Sequence, residues 1–180
     1  MLLAYKIIVS TLLSVAQNGI PKEEAPFKAL GQMTGADSQV ESPRVEMVQD
    51  NANWARVWRD HRQSTNVVPG ISAPVTDLPD RPVVDFEKNV VLCLFGGQSR
   101  NVTGFDIVDV GDEKGTAFVR IRPQILPQAG ASVLQNAYIL IVLPRTKRKM
   151  TVELDQSSLG GRGWRTLASF GPTVKEKTKF

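Results

Sequence analysis

The chain has 180 residues, 42% of them hydrophobic, a formal net charge of +4 and one cysteine, Cys93. That length and apolar fraction suffice for one domain with its own core. A lone thiol excludes an internal disulfide, and a mild positive charge without a stripe of mixed basic and aromatic residues carries no nucleic-acid footprint.

At the start, Lys6 precedes the apolar run Ile7-Ile8-Val9 and Leu12-Leu13, and the stretch ends Ser14-Val15-Ala16. Small residues at both ends of that triplet suit a signal peptidase. The run is shorter than the roughly 20 apolar residues that span a bilayer. The expectation is a signal peptide over residues 1–16 and an exported protein, in the periplasm, the cell envelope or the medium, with no transmembrane span. A flexible lead-in then covers 17–42, one domain covers 43–170, and a disordered tail covers 171–180.

Arg44-Val45-Glu46-Met47-Val48 alternates and predicts a first strand. One helix follows over 53–62, capped by Asp50 or Asn51, with Trp54, Val57, Trp58 and His61 at i, i+3, i+4 and i+7. That stripe predicts a helix packed on a sheet through its two tryptophans. Residues 64–82 hold Pro69, Pro74, Pro79 and Pro82 and predict a long loop. Val90 to Phe95 predicts a central strand that ends at Gly96-Gly97. Thr103–Val110 and Thr116–Arg122 predict a hairpin closed near Gly115. A second long loop spans 123–137, and further strands are expected over 138–143, 150–154 and 164–170. The architecture expected is α+β: a mainly antiparallel, twisted or barrel-like sheet with one N-terminal amphipathic helix packed on it.

Residues able to carry chemistry are few. His61 lies on the apolar helical face, and a single histidine with no second cysteine or histidine cannot build a zinc site, so it is expected to be structural. Cys93 sits in an apolar run, where a thiolate is disfavoured. Asp106, Asp109, Asp112 and Glu113 cluster around one hairpin but match no calcium loop. Gly96-Gly97-Gln98-Ser99-Arg100 lacks the Gly-Lys-Ser/Thr ending of a phosphate loop. Asn101-Val102-Thr103 is a glycosylation sequon. No catalytic residue, metal or cofactor is expected. The candidate contact residues are Val67, Val68, Ile71, Ile125, Leu126 and Leu134 of the two long loops, with Lys147 and Arg148 of the basic turn. Proline-stiffened loops with apolar residues suit recognition because little ordering entropy is lost on binding.

The order of features from Trp54 to Asp155 resembles the PrcB C-terminal domain family of exported bacterial proteins. The residues that carry it are Asn53-Trp54-Ala55-Arg56-Val57-Trp58, Pro82-Val83-Val84-Asp85-Phe86, Val90 to Gly97, Thr103-Gly104-Phe105-Asp106-Ile107 and Tyr138-Ile139-Leu140-Ile141-Val142-Leu143-Pro144. The resemblance implies a non-enzymatic domain that associates with and stabilises a secreted protease or its precursor; the chain is expected to be a monomer when alone. Two other readings stay open: a small secreted hydrolase or lyase using a carboxylate pair near Asp106, and a cell-envelope binder of glycan or an anionic surface through the basic turn.

Overall fold

The computed structural model describes residues 26–62, 81–126 and 134–173. In chain order these form β1 (Gly31–Gly35), β2 (Arg44–Val48), α1 (Asn51–Arg62), β3 (Asn89–Arg100), β4 (Val102–Glu113), β5 (Thr116–Ile125), β6 (Leu134–Pro144), β7 (Lys149–Asp155), a short 3-10 turn (Ser157–Leu159) and β8 (Trp164–Phe170). The expected α+β class is overturned: the described part is mostly β, 57% strand against 12% helical. The helix is not N-terminal either; it stands between β2 and β3. A single 12-residue helix can cover only part of one sheet face, so the core has to be made by sheet against sheet.

Two four-stranded sheets result, ordered β1-β6-β3-β2 and β4-β5-β7-β8. The first is antiparallel throughout. In the second, β5 and β7 run parallel, because the chain between them crosses to the other sheet as β6 and returns. Between the sheets lie Val90, Leu92 and Leu94 of β3 and Ile139, Ile141 and Leu143 of β6, facing Ala117, Val119 and Ile121 of β5 and Met150, Val152 and Leu154 of β7. The alternate residues Val91, Cys93 and Phe95 of β3 and Tyr138 and Leu140 of β6 form a second core under Trp54, Val57 and Trp58. Strands buried on both faces must be apolar at nearly every position, which is why these two read as continuous hydrophobic runs.

The helix is capped by Asp50, whose Oδ1 accepts the Asn53 N–H at 2.8 Å. The rings of Trp54 and Trp58 pack at a tilt with centroids 5.5 Å apart, and the Trp54 indole N–H donates to the Pro82 carbonyl at 2.9 Å. His61 closes the stripe, fully buried.

Three boundaries depart from the sequence expectation. Residues 31–35, placed in the lead-in, form an edge strand on β6, pairing Gly31 with Val142 through Gly35 with Tyr138. The strand at Val90–Phe95 does not end at Gly96-Gly97 but continues to Arg100 through a bulge. There Gly97 has φ of 68°, and a Cβ would stand 2.6 Å from Pro43 Cδ, so the bulge admits the chain entering β2. The loop expected over 123–137 is partly strand, since Pro123–Ile125 extend β5 and Leu134–Ala137 begin β6. The expected signal over 1–16, most of the first long loop and the last seven residues lie outside the described residues.

Candidate binding cleft

The two sheets meet unequally along their two sides. On the β1–β4 side, Thr34 Oγ1 accepts the Phe105 N–H at 2.9 Å and donates to the Tyr138 carbonyl at 2.9 Å. Gly104 fits against this bridge because a Cβ there would lie 2.7 Å from Thr34 Oγ1. On the β2–β8 side the two edge strands touch only in part and leave a cleft of about 460 Å³ between the sheets.

Its walls come from both sheets: Val45 and Leu94 on one side, Leu154 and Leu167 on the other, with Phe105 and Pro123 at one end. Each wall is an edge, β2 in the first sheet and β8 in the second, and an edge strand leaves alternate backbone N–H and C=O groups unpaired. Pro43 is held at the rim by the close approach at Gly97 and by the Gln98 N–H donating to the Glu41 carbonyl at 2.9 Å. Leu159 stands at the mouth, 53% exposed.

Two guanidinium groups border the cleft. Arg44 is engaged on the helix side: it pairs with Glu46 at 2.8 Å and Asp60 at 3.0 Å and lies over the Phe95 ring, 5.1 Å from its centroid. Arg165 forms no ion pair among the described residues. It stands opposite Leu154 in the β7–β8 register, so the two share the inner face, and it is exposed at the cleft.

The residues expected to make contacts fall into three groups. Val67, Val68 and Ile71 lie outside the described residues. Ile125, Leu126 and Leu134 come together around the β3–β4 turn. Ile125 pairs with Val102, Leu134 pairs with Arg100, and the Leu126 N–H donates to the Asn101 carbonyl at 2.9 Å. All three are exposed, Leu134 by 62%. Ile125 lies on the row of Pro123, two residues earlier, and pairs with Val102, and both of those residues line the cleft. Lys147 and Arg148 stand at the other end of β6, away from that cluster. Lys147 is exposed, whereas Arg148 pairs with Asp112 at 2.6 Å.

Lys149 is exposed as well, whereas Arg145 at the start of the basic turn is held inward. The Arg145 guanidinium donates to the carbonyls of Phe86 at 2.8 Å and Gln49 at 2.7 Å and to that of Thr173. The hairpin carboxylates are likewise occupied. Asp106 accepts from the Gln124 amide at 2.6 Å. Asp109 and Glu113 face Arg120 at 3.8 and 3.2 Å, beside Glu153 at 2.9 Å. Among the described residues no histidine, cysteine and carboxylate group is arranged to hold a metal ion. No described helix is long and apolar enough to cross a membrane.

Two buried groups are chemically quiet. His61 Nδ1 lies 3.0 Å from the Ser38 hydroxyl, and its ring packs against Tyr138 and Trp58 at 4.2 and 5.4 Å. Burial, helped by the Arg62 charge, lowers its pKa to about 4, so it is neutral at pH 7. Burial pushes the Cys93 thiol up, and its side chain has no exposure, so no thiolate forms at pH 7.

Arg165, Leu159 and Leu167 were not singled out from the sequence. One signal pointed to the first: in Trp164-Arg165-Thr166-Leu167, alternation puts an arginine on the row of an apolar residue. Comparison of the chain with protein-family models, curated proteins and solved structures found no match.

Proposed function

We propose that this chain is an exported, non-enzymatic domain that binds another protein, and that the cleft between β2 and β8 is its binding face. The observation that carries the proposal is an apolar cleft, open at a sheet edge, with exposed Ile125 paired to Val102 of its lining. Soluble domains rarely leave contiguous apolar surface uncovered without a ligand or partner for it. The export reading rests on residues 1–16. The partner class, a secreted protease or its precursor, rests on the resemblance to the PrcB C-terminal domain family.

The test is affinity capture of secreted proteases from culture medium by the immobilised mature chain, run beside Ile125→Glu and Lys147→Glu. Ile125→Glu is expected to lose the protease with an unchanged thermal midpoint, and Lys147→Glu to retain it. Loss in Lys147→Glu alone would move the binding face to the basic turn. Recovery of no protease by the unaltered chain would remove the proposed partner class.

A further inference from the structure

Resting on that reading, we infer that the cleft takes one extended segment of the partner, laid along β8 as an added strand, with an acidic side chain of that segment on Arg165. Three observations converge. The cleft is bounded by two edge strands, which offer a main-chain ladder that an apolar small molecule cannot use. Its walls, Val45, Leu94, Leu154 and Leu167, are apolar and accept the alternate side chains of a strand. The one charged group that shares the inner face with Leu154 at this edge, Arg165, has no ion-pair partner among the described residues.

Charge decides between occupants. A charged residue pointing inward on an edge strand is also a device against edge-to-edge association. A second copy paired through β8 would bring two unpaired Arg165 side chains into one short interface, in a chain already at +4, and like charges there repel. A segment with a carboxylate turns the same group into a charge-assisted contact. Arg44 cannot serve in its place, since Glu46 and Asp60 already hold it.

The experiment measures fluorescence anisotropy of three labelled heptapeptides, alternating valine and threonine, with Asp, Asn or Lys at the central position. The full mature chain, Arg165→Ala and Arg165→Glu are compared. The Asp peptide is expected to bind the unaltered chain about tenfold more tightly than the Asn peptide, the strength of a charge-assisted contact. Arg165→Ala should remove that difference, and Arg165→Glu should favour the Lys peptide. Amide hydrogen exchange should slow in β8 when the Asp peptide is bound. Equal binding of the Asp and Asn peptides, or no binding of any peptide, overturns the inference. So does tighter binding of laurate, which has a carboxylate and an apolar body but no backbone, and so does dimerisation of the chain through β8. Any of these results with protease capture still sensitive to Ile125→Glu leaves the protein-binding reading standing and removes only the strand.

Discussion

On the β1–β4 side of the sandwich a threonine hydroxyl ties the two sheets, and Phe105 is packed against the join. On the β2–β8 side the edge strands touch only in part, and equally apolar walls line an open cleft. The face of the first sheet under the helix resembles the closed side: two tryptophans and a histidine fill it. Close packing makes filled regions sensitive to single methylene groups, whereas an open edge can change its residues with little effect on the fold. Stability should therefore reside at the helix layer and the closed side, and recognition at the open one.

The sharpest way to break that division is Trp58→Ala. The side chain is buried in the filled layer, and its loss should cost about 3–5 kcal/mol in denaturant unfolding. An unchanged midpoint would show that the helix layer is not where stability resides.

Acid tests the same layer through His61. The folded state holds its pKa at about 4 against 6.5 unfolded, so the unfolded chain binds the proton first. The contribution is complete above pH 6.5 and is lost as pH falls toward 4, by about 3 kcal/mol. Urea midpoints between pH 7 and 4 should fall accordingly, and His61→Leu should flatten that part of the profile. A profile unaffected by His61→Leu would assign the acid sensitivity elsewhere.

At the closed side, Thr34→Val keeps the shape but leaves the buried Phe105 N–H without its acceptor. A loss of about 1–3 kcal/mol is expected. At the open side, Leu159→Asp should change stability by less than about 0.5 kcal/mol while weakening partner capture about tenfold, as for a contact residue worth about 1.4 kcal/mol. A large loss of stability on Leu159→Asp would make the cleft mouth part of the core and erase the contrast.

Much of the strand pattern was legible. Val45 and Met47, Val90 to Phe95, Tyr138 to Leu143 and the row Ala117, Val119, Ile121 announce themselves through alternation or unbroken apolar runs, and each lies in a strand. The stripe Trp54, Val57, Trp58, His61 announces the helix and its buried face. β1 was not legible, because Gly31-Gln32-Met33-Thr34-Gly35 has little apolar alternation and is held mainly by backbone pairing with β6. Pro123 argued for a loop, yet it sits in β5 opposite Phe105. Parallel pairing with β7 ends at Ile121, so beyond that point the missing proline N–H leaves no ladder bond unmade. Of the cleft lining, Val45 is legible in the alternation of its strand and Arg165 is not, since a charged residue on an apolar row gains meaning only once its row is known to border a cleft.

The sequence by itself determined where the helix and most of the strands lie and which of their side chains avoid water, because periodicity is a property of a residue and its near neighbours. Only the tertiary structure decided that the fold is mostly β, that β5 and β7 run parallel, and that the sheets join at Thr34 and part at β2 and β8. Those outcomes depend on which distant strands pack together, and that choice is made by the summed burial of two whole sheets rather than by any local pattern.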